Sequence, residues 1–127
     1  MSQGIRVQVL DAARRDLERI AGKDWRGYLL VQKALRLVED RGWAAAASTE
    51  LLKVLDQKRH VGEIRVLGRG GYRLFFFWHD DSSGRTLWIA AMPKKKDVED
   101  TNRFNAQVSA VAERRRRFLE DDDASEG

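Results

Sequence analysis

The stretch VGEIRVLGRGGYRLFFFWHDDSSGRTLWIAAM, residues 61–92, decides the fold that the sequence predicts. Val61–Leu67 has the two-residue period of a strand, and Gly68–Gly71 provides a turn. The partner strand is Tyr72–His79, and a second polar turn leads to a third strand at Thr86–Met92. Three consecutive strands joined by turns predict an antiparallel meander. Aromatic residues fall on both faces of the middle strand, which indicates that it is central and covered on each side.

Upstream of the meander, alternating Ile5, Val7 and Val9 predict a short strand. A helix capped by Asp11 and a second helix from about Asp24 to Arg41-Gly42 follow, forming an antiparallel helical hairpin. The sequence between the hairpin and the meander does not favour a single secondary structure. Trp43–Ser48 is ambiguous, and Leu51–Leu55 suits either a short helix or an extended segment packed under the sheet.

Downstream, Pro93 ends the meander and Lys94-Lys95-Lys96 follows at once. Apolar residues at helical spacing predict a last helix from about Asn102 to Leu119. We expect a single domain at residues 1–119 and a disordered acidic tail at 120–127. The fold class is α+β: an N-terminal strand and helical hairpin, a three-stranded antiparallel meander and a C-terminal helix.

Composition points to a polyanionic partner. The 127 residues contain 24 Lys plus Arg, seventeen of them Arg, and 20 Asp plus Glu. Five of the acids lie in the last eight residues, so the rest of the chain carries a net charge of +9. Arginine matches phosphate geometry, which makes nucleic acid the first candidate. With no cysteine, no membrane-length apolar stretch and no signal-peptide pattern, we expect a cytoplasmic protein without metal or cofactor that binds no membrane.

Three segments resemble the RelE/HigB-like superfamily of type II toxin–antitoxin toxins: Gly62-Glu63-Ile64-Arg65-Val66, Gly71-Tyr72-Arg73-Leu74-Phe75-Phe76, and Leu87 through Lys96. The resemblance covers about Ile5 to Leu119. It implies a RelE-like fold and a metal-independent endoribonuclease that cuts messenger RNA on the ribosome and so inhibits translation. In such toxins a ribose 2′-hydroxyl attacks the adjacent phosphate. The implied partners are messenger RNA, ribosomal RNA and a cognate antitoxin protein.

Matched to that family, Arg65, Arg73 and Lys95 are the predicted catalytic residues. The two arginines share a face only if the hairpin pairs residues whose numbers sum to an even value, as when Arg65 lies opposite Arg73. The structural alternative is that Arg65 pairs with Glu63 or Asp56 and Arg73 lies along a sheet edge.

Further cations are candidate RNA-binding residues: Lys94, Lys96, Arg69, Arg85, Arg114 and Arg115. Each is also typical of a solvated loop or helix end. Many RelE-type toxins have a tyrosine or histidine in the C-terminal segment for proton transfer, whereas Thr101–Phe104 has neither. His79 and His60 are possible substitutes, although a structural role is more typical of either. Tyr72 and the four tryptophans are predicted to lie in the core.

The leading functional hypothesis is therefore the ribosome-dependent endoribonuclease. One alternative is a ParE-like toxin that acts on DNA gyrase and shares the fold without the nuclease residues. Another is a non-catalytic RNA-binding module. Convergence of Arg65 and Arg73 on one surface near Lys95 would distinguish the endoribonuclease from the ParE-like toxin.

Overall fold

The computed structural model describes residues 5–66, 71–93 and 98–126, with side chains as far as residue 121. Within those ranges the elements are β1 (Ile5–Val9), α1 (Asp11–Lys23), α2 (Trp25–Arg41), α3 (Trp43–Ala47), β2 (Leu52–Asp56), β3 (Val61–Arg65), β4 (Arg73–Asp81), β5 (Gly84–Ala91) and α4 (Thr101–Glu126). The α+β class and the meander β3–β4–β5 are as the sequence predicts.

The strands of the described residues form one five-stranded mixed sheet in the order β1-β5-β4-β3-β2. β1 runs parallel to β5, and the other neighbours are antiparallel. The sheet has one strand more than the sequence predicts. β2 extends it at the edge instead of packing beneath it, because Leu52 pairs with Ile64 of β3 and is buried while Lys53 is exposed.

Both faces of the sheet are covered. Phe76 and Trp78 of β4 join the core beneath α1, α2 and α3, and Phe75 and Phe77 join a second cluster beneath α4. All four side chains are at most 1% exposed. The central position predicted for β4 is therefore confirmed, and the two-sided burial explains why its aromatic run lacks the alternation of a half-exposed strand.

Close approach explains a glycine of β3. Gly62 lies opposite Phe76, and a Cβ atom at residue 62 would be 2.5 Å from Phe76 Cζ and 2.9 Å from the Lys53 carbonyl oxygen. Neither contact is tolerable, so only glycine lets β2, β3 and the Phe76 ring pack this closely.

The boundaries of two helices differ from the sequence-based expectation. α1 begins at Asp11 with Leu10 in the capping position, so Asp11 is in the first turn and not the cap. α4 continues to Glu126, so residues 120–126 are helical rather than a disordered tail. Arg116 pairs with Glu120 one turn later, an i,i+4 contact that supports the helix beyond Leu119.

Candidate nucleic-acid interface

Arg65 and Arg73 meet at one end of the meander. Arg65 ends β3, Arg73 begins β4, and the register places them directly opposite each other. This is the even register that the shared-face hypothesis requires. Each arginine side chain is 33% exposed, so both are partly accessible to solvent.

The hydrogen-bond pattern brings the two arginines especially close. The Val66 amide donates to the Tyr72 carbonyl oxygen at 2.9 Å, which makes 66/72 a hydrogen-bonded pair and the adjacent 65/73 a non-hydrogen-bonded pair. Cα atoms in such pairs are about 4.5 Å apart, and their side chains lie closer together than in the other type. Like charges opposed in this way are destabilising unless a counter-charge is present.

The counter-charge is Glu63, which is fully buried at 0% exposure. Arg65 Nε donates to Glu63 Oε1 at 2.9 Å, and Arg73 Nη1 lies 3.8 Å from Glu63 Oε2. We call Glu63, Arg65 and Arg73 the arginine-pair site. The alternative in which Arg65 pairs with Glu63 is thus realised together with the shared face, whereas Asp56 bonds to Arg59 instead.

The arginine-pair site lies on the same face of the sheet as α4. Glu63 pairs with Phe75, whose ring meets Phe104 of α4 edge-on with centroids 5.5 Å apart. The start of α4 therefore lies on the same face as the site and contacts Phe75, the residue opposite Glu63.

Tyr72 points to the opposite face, as predicted. Its ring packs against the core under α1–α3, and its hydroxyl donates to Asp24 Oδ2 at 2.8 Å. Burial, followed by the bond to Asp24, raises the pKa of Tyr72. Asp24 also caps α2 by accepting from the Gly27 amide. These bonds connect the start of β4, where Arg73 lies, to the start of α2.

The predicted lysines Lys94, Lys95 and Lys96 and the predicted Arg69 lie outside the described residues. The last described residues before that tract lie at the end of the sheet that carries Arg73. Ala91 at the end of β5 pairs with Phe75, and the description continues to Pro93.

The opposite end of the meander holds His60. Its ring stacks on Trp78 with centroids 4.8 Å apart, and its backbone has a φ of 59°, in the left-handed region. Arg115 donates from Nη2 to His60 Nδ1 at 3.0 Å and from Nε to the Trp78 carbonyl oxygen at 3.0 Å. A ring nitrogen that accepts a hydrogen bond requires the neutral imidazole. Burial and the nearby Arg115 lower the pKa of His60, in agreement with that geometry.

Arg85 is held at the same end. It forms two bonds to the Asp80 carboxylate, at 2.7 and 3.0 Å, and its guanidinium lies 4.3 Å from the centroid of the Trp43 ring. These bonds lower the pKa of Asp80. We call His60, Trp78, Asp80, Arg85 and Arg115 the histidine cluster. Arg85 and Arg115 each donate two hydrogen bonds to protein groups, so both predicted RNA-binding residues have structural contacts.

Neither histidine is near the arginine pair. His60 precedes β3 by one residue and is five residues from Arg65, a separation of about 17 Å along an extended strand. His79 is six residues from Arg73 on β4, about 20 Å away by the same measure. The structure therefore does not bring the predicted proton-transfer residues to the predicted catalytic arginines.

The arginine run of α4 is divided among different contacts. Arg115 faces the sheet, and Arg116 and Arg117 form ion pairs with Glu113 of the same helix. Arg114 is exposed and has no ion pair with any residue in the described ranges. Within this run, Arg114 is the residue best placed to meet an external phosphate.

No family model, curated protein or solved structure matches the chain. Its function is therefore inferred from the residues and geometry of the site. In the described residues, no group of three or more His, Asp or Glu side chains is placed to hold a metal ion. No helix among those residues is long and apolar enough to cross a membrane.

The sequence pattern predicts neither the burial of Glu63 nor the exposure of Trp25. The parity of residues 63 and 65 shows that they share a face, but an acidic residue in a strand is ordinarily placed at the surface. Trp25 was predicted to lie in the core and is 60% exposed at the first turn of α2, where it stacks on Tyr28. Its helical spacing from the buried Val31 and Ala34 would have placed it off the apolar stripe.

Proposed function

We propose that the protein is a RelE/HigB-like toxin of a type II toxin–antitoxin system. Its activity is ribosome-dependent endonuclease cleavage of messenger RNA, which inhibits translation. The observation that supports this best is the direct opposition of Arg65 and Arg73 on one face of the meander, each about one-third exposed. Glu63 supplies one negative charge to these two cations, so the pair keeps a net positive charge that suits an anionic ligand.

The chemistry of the proposal fits a site made of cations. As a ribose 2′-hydroxyl attacks the adjacent phosphate, negative charge grows on the phosphoryl oxygens. Guanidinium groups match phosphate in geometry and stabilise that charge without a metal. Cleavage leaves a 2′,3′-cyclic phosphate and a 5′-hydroxyl. In this proposal Arg65 and Arg73 contact the scissile phosphate, and Lys95, two residues after Pro93 in the sequence, adds a third cation.

The fold is compatible with the proposal at a coarser level. The α+β class, with a mixed five-stranded sheet and helices on both faces, supports the proposal, and the RelE-like arrangement itself is part of what we propose. We further propose a cytoplasmic location, messenger RNA on the ribosome as substrate, and a cognate antitoxin protein as partner.

A non-catalytic RNA-binding module is the second candidate, and a specific observation favours it. Both histidines lie about 17–20 Å from the arginines along their strands, and the Tyr72 hydroxyl is bonded to Asp24 on the other face. Such a site holds phosphate but has no histidine or tyrosine placed to move a proton.

Primer extension separates the candidates. Messenger RNA is incubated with the purified protein in a bacterial cell-free translation reaction, and the same RNA is incubated with the protein alone. The proposed nuclease gives new 5′ ends only during translation. Intact messenger RNA in both reactions, with retention of RNA on the protein, favours the binding module. Intact RNA without binding favours the gyrase-directed alternative, which a DNA supercoiling assay then tests.

A further inference from the structure

Glu63 is a charged group in an environment that does not suit one. It has 0% exposure and lies opposite Phe75, beside the contact of Phe75 with Phe104. Removing a carboxylate from water is costly unless its oxygens are paired, and an apolar residue of similar size is often at least as stable in such a place. Stability alone therefore gives a poor reason for a glutamate at this position.

The two carboxylate oxygens are used unequally. Oε1 accepts from Arg65 Nε at 2.9 Å. Oε2 is buried and accepts no hydrogen bond from any described residue, although Arg73 Nη1 is 3.8 Å away. That distance permits charge attraction but exceeds a hydrogen bond. Arg65 is thus fixed by a bond, whereas Arg73 is held only by attraction.

Glu63 also makes the close opposition of the arginines possible. One negative and two positive charges leave the cluster with a net charge of +1, which complements a phosphodiester group. Without Glu63, the two guanidinium groups would repel each other and separate.

We propose that Glu63 is a positioning residue that holds Arg65 and Arg73 together as one clamp for a single phosphodiester group. Arg65 is the fixed arm of this clamp. Arg73 is the movable arm, and it turns its donors to the phosphate when the ligand binds. The carboxylate itself is 1% exposed and does not touch the substrate. This inference rests on the proposed RNA-directed function and assigns a role within the same site.

A positioning role and a purely electrostatic role of Glu63 predict opposite changes in RNA affinity for Glu63→Gln. If Glu63 acts only as a negative charge, its removal strengthens binding to a polyanion. If Glu63 positions the arginines, its removal weakens binding, because a neutral glutamine has no charge to attract Arg73 and replaces one carboxylate oxygen with an NH2 donor.

The test measures the dissociation constant of a fluorescent 2′-O-methyl RNA oligonucleotide, which lacks the attacking hydroxyl, at a series of KCl concentrations. Glu18→Gln is the matched control, because Glu18 is an exposed carboxylate on α1 and its loss changes the net charge equally. We expect Glu63→Gln to weaken binding roughly tenfold, the value of one charge-assisted hydrogen bond. The slope of log Kd against log[KCl] should decrease by about 0.7, the contribution of one phosphate contact on a single strand.

Three results would overturn the proposal. The first is tighter binding by Glu63→Gln, equal to that of Glu18→Gln. The second is that Glu63→Gln lowers the RNA affinity of an Arg65→Ala/Arg73→Ala protein as much as it lowers that of the wild type. A positioning residue acts through those arginines and should have no effect once they are absent. The third is wild-type protein that does not bind the oligonucleotide.

Circular dichroism checks that each variant is folded at the assay temperature. If Glu63→Gln is unfolded at that temperature, Glu63→Asp is used in its place. Aspartate keeps the negative charge, but its shorter side chain places the carboxylate farther from the arginines. Weaker binding by Glu63→Asp then supports the proposal, and wild-type affinity contradicts it. Failure of the nuclease proposal is seen separately, as intact messenger RNA during translation together with normal oligonucleotide binding.

Discussion

The two ends of the meander contain similar residues and use them differently. In the histidine cluster, Arg85 donates twice to Asp80, and Arg115 donates to the Trp78 carbonyl oxygen and His60. In the arginine-pair site, Glu63 forms one hydrogen bond with Arg65 and, among the described residues, none with Arg73. The cations of the first end are committed to the protein, and those of the second retain donors for a ligand.

This contrast shows why a count of arginines does not locate a binding surface. Arg115 and Arg114 are neighbours in sequence, yet one faces the sheet and the other faces solvent. A cation that can bind a ligand is one whose N–H donors are not all bonded to other groups of the protein. We therefore expect substitutions in the arginine-pair site to reduce activity without reducing stability. Substitutions in the histidine cluster should reduce stability without reducing the activity of the folded protein.

The largest expected effect is that of Arg73→Ala on cleavage. Losing a group that stabilises the charge of the transition state typically lowers the rate about 100- to 1000-fold. The rate is measured by primer extension at saturating protein, and the unfolding free energy by urea denaturation. Arg73→Lys is the control, because it keeps the charge but loses the planar fork, so it should recover only part of the rate. Cleavage by Arg73→Ala at the wild-type rate would contradict the assignment.

Arg115→Ala should have the opposite effect, on stability. It leaves the Trp78 carbonyl oxygen and His60 Nδ1 without their donor, and partly buried groups of this kind cost about 2 kcal/mol when unpaired. Urea denaturation of the variant measures the loss. The matched control is the adjacent Arg116→Ala, which removes only exposed ion pairs with Glu113 and Glu120 and should leave stability nearly unchanged. Equal effects of the two substitutions would contradict the structural role of Arg115.

The histidine cluster should also give the protein a pH-dependent stability. Burial and Arg115 lower the pKa of His60 below its usual 6.5, so the folded state binds a proton less readily than the unfolded state. The unfolding free energy contributed by His60 is then fully present above pH 6.5 and decreases as the pH falls below it toward the folded-state pKa. Asp80 is near His60 and stays ionised in this range because Arg85 lowers its pKa, so its charge does not confound the comparison.

His60→Asn isolates this contribution. Asparagine tolerates the left-handed backbone of residue 60 and has no titratable group. Urea denaturation between pH 7 and pH 5 should show a shallower decline for the variant than for the wild type. Identical slopes would assign the pH dependence to other groups.

The smallest effect is expected for Arg114→Ala. Arg114 is exposed and has no ion pair with the described residues, so its loss should leave stability unchanged. If it meets an RNA phosphate, the slope of log Kd against log[KCl] for a single-stranded RNA decreases by about 0.7. The same slope in both proteins would remove Arg114 from the interface.

The meander could be predicted because its signals are local. Alternation through Val61–Leu67 and a glycine-rich turn define a hairpin, and the parity of residues 65 and 73 restricts the register to two classes. The class in which Arg65 and Arg73 share a face is the one observed. The two-sided burial of β4 followed from its aromatic run in the same way.

The remaining features depend on contacts that no local pattern encodes. β2 is a strand because β3 offers its free edge, while the residues of β2 suit a helix equally well. Glu63 is buried on the face of β3 that α4 covers, opposite Phe75 of β4, and this burial depends on elements distant in sequence. α4 continues past Leu119 with the support of a pair one turn apart, Arg116 and Glu120, within a tract whose composition is typical of disorder.

The role of the arginine pair is tested most directly by mapping RNA 5′ ends in cell-free translation reactions with three proteins: wild type, Arg65→Ala/Arg73→Ala, and Arg115→Ala at a temperature where it is folded. We expect wild type and Arg115→Ala to cut the messenger RNA at the same positions, leaving 5′-hydroxyl ends, and the double variant to leave it intact. Cleavage by the double variant at the wild-type positions and rate would contradict this expectation, because the arginine pair would then have no part in the reaction.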